Sequence, residues 1–189
     1  MDNQILIDKS TIVYIAKTIS RAFRELQKRL TDGTLTAAEL DAIDSLPSGV
    51  QDRRSPIDGS LVELVDLTGR KRIAGFPQMC CADVTATLGI IYTMAGVKPE
   101  AIFEMKAVPR KPNPAFNFHK WLSVEELRID LTLGQFQPLG STIGGAVVFN
   151  QHPFEVDDEY TIEKSQFVPP TQIVKFAEYI GFAYIFEGE

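Results

Sequence analysis

Cysteine is scarce in this chain. The only two, Cys80 and Cys81, are neighbours, and a disulfide between adjacent residues needs strained geometry, so neither can staple distant segments. Reduced thiols are the default, and their chemistry becomes the question. Histidine is equally scarce: His119 and His152, taken with the paired cysteines, lack the spacing of a zinc site, and His152 in "NQHPF" reads as a loop residue before a proline. The carboxylates of "EVDDEY" lack calcium-loop spacing. The glycines of "STIGGAVV" lead into a strand and not a helix, which argues against a phosphate cradle. No apolar run approaches the roughly 20 residues needed to cross a bilayer. The start "MDNQILIDKS" has neither the basic region nor the long apolar stretch of a signal peptide, so the expected compartment is the cytoplasm, with export by a dedicated secretion machine compatible with the same sequence. Basic residues are outnumbered 19 to 25, for a net charge of −6, which argues against nucleic acid and against an anionic membrane surface as partners. There is no internal repeat and no low-complexity tract.

What the chain does have is the make-up of a globular protein: 189 residues, 44% hydrophobic and 23% charged, enough for one sizeable core. We read residues 1–189 as a single domain, with a helical N-terminal part over 1–50 and a core carrying the sheet over 76–189. Ile12, Ile15, Ala16, Ile19, Phe23, Leu26 and Leu30 recur at the spacing of a helix that buries one stripe, while Lys17, Arg21, Arg24 and Lys28 form a solvated face. A shorter helix, "TAAELDAIDSL", ends near Pro47, and "PSGVQDRRSPIDGS" reads as a surface loop. The segment "LVELVDLTGRKRIAGF" is compatible with a strand pair turning at Thr68-Gly69 or with a helix ending at Gly69. "CADVTATLGIIYTMAG" is a helix with Val84, Leu88, Ile91 and Ala95 on one stripe, closing at Gly96. "GGAVVFN" and "FEVDDEYTI" read as strands, "PPTQIVKFAEYIGF" as a helix capped by Thr171, and "FAYIFEG" as a closing strand or extended tail. Helices first and strands later is the order of an α+β domain with a largely antiparallel sheet.

The stretch "FNFHKWLSVEELRIDLTLGQF" reads as a hairpin turning at Glu125-Glu126. In that register Val124 faces Leu127, Trp121 faces Asp130 and His119 faces Thr132. Strand alternation then puts Phe118, Leu122, Val124, Leu127, Ile129, Leu131 and Leu133 on a core face, and His119, Trp121, Ser123, Arg128, Asp130 and Thr132 on the other. His119 and Asp130 are diagonal neighbours, roughly 7 Å apart in backbone and within reach of a side-chain hydrogen bond. A carboxylate there fixes the imidazole tautomer and favours its protonated form. By themselves such residues are ordinary members of a polar face.

The thiols change the weighing. Both lie where the chain enters a helix, and a thiol at a helix N-terminus feels the positive end of the macrodipole, which favours the thiolate. At about 100° per residue the two fall on opposite sides of the apolar stripe, so periodicity does not choose between them. A cysteine at a helix start, followed by His and Asp on adjacent strands, is the arrangement of an acyl-transferring thiol enzyme.

"CADVT" from Cys81, "HKW" from His119 and "RIDLT" around Asp130 resemble the transglutaminase-like branch of the papain-like fold, with Cys-x-Asp at a helix start, His-x-Trp on one strand and Asp on the next. "FPQMCC" and "DLTLGQF" are similar to a group of small bacterial proteins of this type, some attached to toxins. The resemblance spans about Phe76 to Phe136. It implies Cys81 as nucleophile, because Asp83 follows it by two, His119 as general base and acid, and Asp130 as its orienting partner. It further implies Trp121 beside the site, Thr132 in support, and an oxyanion held by the Cys81 backbone N–H with Gln78 as a candidate second donor. Lys120 departs from the small residue usual between His and Trp, and should point to the other strand face. No cofactor and no metal is required. The expected activity is a hydrolase or acyltransferase acting on an amide or thioester of a protein or small molecule; deamidation, transamidation and peptide or isopeptide hydrolysis share this machinery. The alternative is a catalytically silent binding or immunity-type module on the same fold.

Overall fold

The computed structural model describes residues 7–54, 61–77, 80–111, 117–136 and 148–186. Helix α1 (Lys9–Asp32) opens on Asp8, whose side chain accepts from the Thr11 N–H, and closes on Gly33 at φ 67, a left-handed position that favours glycine. Its buried stripe includes Ile12, Ile15, Ala16, Ile19, Phe23 and Leu26, as the spacing predicts. Helix α2 (Ala37–Asp44) starts with a Thr36/Glu39 capping box, and the buried Glu39 also pairs with Arg29 of α1.

The next segment departs from expectation. Gly49–Arg54, read as part of a loop, forms strand β1 and pairs antiparallel with β2 (Leu61–Leu67). Thr68-Gly69 neither turns a hairpin nor ends a helix; it begins one, α3 (Gly69–Ala74), because the Thr68 side chain accepts the Lys71 N–H as an N-cap. Glycine is required at the join by close approach: a Cβ on Gly69 would lie 1.9 Å from the Ile43 carbonyl oxygen of α2.

Helix α4 (Cys81–Met94) is buried from Asp83 to Tyr92 on every side, not along one stripe. Helices α1 and α5 (Val174–Gly181) pack on it, and so does strand β4 (His119–Val124) of the main sheet. A helix enclosed in this way reads as uniformly apolar. Phe167 presses on its backbone at Gly89, where a Cβ would meet the ring at 2.4 Å.

The main sheet adds β3 (Ile102–Pro109), β5 (Leu127–Ile129), β6 (Val148–Phe149) and β7 (Tyr160–Gln166), in the order β6-β5-β4-β3-β7. All four pairings are antiparallel. The class is therefore α+β, although helices do not simply precede strands: the β1–β2 pair lies between α2 and α3, and α5 follows the sheet. Three local readings also change. Residues 153–155 form a 3₁₀ turn, so the strand begins only at Tyr160. A 3₁₀ turn at Thr171–Ile173 delays α5, and Phe182–Phe186 forms a π-helical turn instead of a strand or extended tail. Of "GGAVVFN", the part before Val148 lies outside the described residues.

The sheet divides two apolar clusters. Ile102, Leu122, Val124, Leu127, Ile129 and Leu131 join the helical core, while Met105, Ala107 and Trp121 form a smaller cluster on the reverse face with Phe103, Phe154, Tyr160 and Ile162. Among the described residues no helix is long and apolar enough to cross a membrane.

Candidate active site

The hairpin register matches the sequence reading: Val124 pairs with Leu127, Ser123 with Arg128 and Leu122 with Ile129. Glu125 takes the left-handed conformation at φ 53 that a tight hairpin turn demands. This register carries Trp121 and His119 onto the face opposite the helical core and brings Asp130 alongside them.

Asp130 is fully buried, and both of its oxygens are saturated. Oδ1 accepts from the Thr132 N–H at 2.8 Å and from the Thr132 hydroxyl at 3.0 Å. Oδ2 accepts from His119 Nε2 at 2.6 Å and from His152 Nε2 at 3.0 Å. Burial acts to raise the carboxyl, but the hydrogen bonds from both histidines and the positive charge of His119 outweigh it and hold it well below the usual carboxylate range. For His119 the balance runs the other way. Burial pulls the imidazole down, whereas the bond to Asp130, the bond to Cys81 and the charges of both carry it up to about 9. Since Nε2 is taken by Asp130, Nδ1 is the nitrogen left for the thiol.

Cys81 is partly exposed and Cys80 is buried. Burial, then the Asp83 charge, push the Cys80 thiol upward, leaving it protonated and unreactive. At the start of α4, where Cys81 is the first helical residue, the N-cap Cys80 makes no side-chain cap bond, and Asp83 is the acidic residue of the first turn. Three contacts position this helix end. Thr85 Oγ1 donates to the Lys120 carbonyl at 3.2 Å, tying the first turns of α4 to β4 beside His119. Arg72 of α3 donates to the buried Asp83, and although that bond pulls the carboxyl down, burial leaves it raised on balance. Gln27 of α1 donates to the carbonyls of Ala74 and Phe76 at 2.8 and 2.7 Å, holding the approach to the cysteines. The N-terminal helices thus brace the entrance of α4.

The structure brings Cys81, His119, Asp130 and Thr132 together. Gln78 lies outside the described residues. Trp121 is fully buried, so it supports the site from beneath and offers no surface to a substrate. Lys120 does leave the site face, pairing with Glu104 at 2.7 Å.

His152 is the residue that sequence reasoning missed. It does lie in a loop directly before Pro153, but it is fully buried, its ring stacked on Trp121 and bonded to Asp130. Its Nδ1 accepts from the Phe154 N–H at 3.3 Å, which puts the ring proton on Nε2. Glu155 accepts from the His152 N–H at 3.4 Å and is itself gripped by Arg128 Nε at 2.6 Å. The one hint in the sequence was His-Pro followed by Glu155, a capping box around a proline at the first turn position.

His119, Asp130 and His152 lie close enough to share a metal ion, their ligand atoms all within 4.8 Å. The hydrogen bonds oppose that use. A histidine ligating through Nε2 carries its proton on Nδ1 and donates it, whereas His152 Nδ1 faces another donor, the Phe154 N–H.

No family model, no curated protein and no solved structure matches this chain.

Proposed function

We propose that the protein is a cysteine-dependent hydrolase or acyltransferase, built on the transglutaminase-like branch of the papain-like fold, that acts on an amide or thioester through an acyl-thioester intermediate. The carrying observation is the continuous chain from the partly exposed Cys81 thiol through His119 to the saturated Asp130 carboxylate. A nucleophile at the start of a central helix, with His on one antiparallel strand and Asp just past the next, supports the fold reading.

In this reading the Cys81 thiolate attacks the carbonyl carbon, and the developing oxyanion takes hydrogen bonds from the backbone N–H groups at the uncapped start of α4. His119 Nδ1–H passes its proton to the departing amine or thiol, leaving the acyl group on Sγ. An incoming water or amine then gives a proton back to Nδ1 as it attacks the thioester, and Sγ leaves as thiolate. Asp130 keeps the His119 Nε2 proton in place throughout.

The test is the rate of iodoacetamide alkylation against pH, with mass-spectrometric assignment of the site, for wild type and His119→Ala. Selective reaction at Cys81 with an apparent pKa well below the roughly 8.5 of a free thiol, lost in the variant, supports an activated pair. Slow or unselective alkylation, indifferent to the variant, leaves the binding or immunity-type module as the better reading.

A further inference from the structure

We propose that His152 is a positioning residue for this site: it donates a second hydrogen bond to Asp130 Oδ2 and so limits how strongly that carboxylate holds the proton on His119. The inference rests on the cysteine-enzyme reading for its meaning, but its test does not depend on turnover.

Three observations carry it. His119 and His152 address the same oxygen, at 2.6 and 3.0 Å, so they compete for its electron density. Second, His152 is held on every side. Its Nδ1 takes the Phe154 N–H and its backbone N–H goes to Glu155, which Arg128 anchors. Its ring is stacked on Trp121 and edged by Phe149 at 5.6 Å. Third, the tautomer fixed by Phe154 makes Nε2 a donor toward Asp130.

Among the described residues, His119 meets Asp130 beyond β5, Cys81 on α4 and, through Asp130, His152. A lone buried carboxylate against an imidazole stabilises the imidazolium strongly, and such a histidine holds its proton too tightly to return it as acid and regain it as base. A second donor on Oδ2 draws off part of that charge. Losing it leaves His119 as the one histidine on Oδ2, with Oδ1 still held by Thr132.

With two histidines in the chain, the imidazole Cε1–H signals of the full-length protein can be followed by NMR from pH 5 to pH 10, and His152→Phe leaves His119 as the only one. The expected result is a rise in the His119 pKa of roughly one unit in His152→Phe, with the wild-type value largely restored in His152→Gln, whose amide nitrogen can donate to Oδ2. A purely structural role predicts no such rescue by a donor. An unchanged His119 pKa in His152→Phe, or a rise that Gln does not reverse, overturns the proposal. If His152→Phe does not fold, the ring nitrogens of the wild-type protein decide. ¹⁵N shifts showing the proton of His152 on Nε2 and bonded support it; a proton on Nδ1 overturns it. Alkylation of wild-type Cys81 separates the two readings: an unreactive thiol removes the enzyme proposal while leaving the His152 result to stand or fall by the titration.

Discussion

The imidazole of His152 lies flat on the indole of Trp121, ring centroids 4.0 Å apart and planes 10° from parallel. The stack fixes the plane of His152 so that Nε2 meets Asp130, and it makes the buried Trp121 the floor of the site. Trp121→Ala should therefore cost about 3–5 kcal/mol of stability by opening a cavity and slow Cys81 alkylation in the surviving folded fraction. Trp121→Phe, which keeps a ring under His152, should retain most of the alkylation rate. Urea unfolding and alkylation kinetics on both variants check this, and a Phe variant as impaired as the Ala one would show that the stack does not matter.

The triad variants should separate by role. Cys81→Ala, His119→Ala and Asp130→Ala should each lose turnover on any acyl substrate found for the wild type, while Cys80→Ala, which removes only a buried thiol, should keep it. Asp130→Asn should fall by roughly 10²- to 10⁴-fold in kcat/KM, less than Cys81→Ala, because orientation and charge are lost but the nucleophile stays. Loss of activity in Cys80→Ala alone would reverse the choice of thiol.

Stability should depend on pH through the His119–Asp130 pair. His119 is raised from 6.5 to about 9 on folding, so its contribution is complete below about pH 6.5 and disappears as the pH climbs through 9. Asp130 is lowered from 3.8, so its contribution is present above that value and is lost as acid reaches the depressed folded-state pKa. Urea midpoints measured from pH 5 to 9.5 should decline on the alkaline side for wild type and more weakly for His119→Gln. Parallel declines in the two proteins would assign the effect to other groups.

Arg72→Ala should destabilise the fold by about 3 kcal/mol, since it strands the buried Asp83 carboxylate at the start of α4. Adding Asp83→Asn should recover part of that loss, because an uncharged amide tolerates burial better. Denaturant midpoints of the single and double variants measure the coupling, and simple additivity would mean that the pair is not energetically linked.

The parts of this protein that were legible in its sequence are those set by short-range chemistry. The stripe of α1 from Ile12 to Leu26, the helix in "TAAELDAIDSL" and the close of α4 at Gly96 are fixed by neighbours within a turn or two. The register from Val124/Leu127 back to Leu122/Ile129 follows from one turn and strict alternation. That register sufficed to place His119 beside Asp130. Where two local patterns compete the sequence misleads: Thr68 N-caps α3 in a stretch that reads as a strand pair turning at Thr68-Gly69 or as a helix ending at Gly69, and Pro153 with Glu155 builds a capped 3₁₀ turn where a strand is expected.

The sequence by itself determined the α+β class, the main helices, the hairpin and the proximity of His119 to Asp130, because each depends on spacings that the backbone's own periods translate directly into geometry. Tertiary structure alone decided the rest: that Cys81 is the thiol at His119 while Cys80 is buried, that Arg72 and Gln27 brace the helix start, and that His152 completes the bonding of Asp130. Those contacts join segments far apart in the chain, and their partners are set by how the helices and sheet pack, a constraint that no local pattern carries.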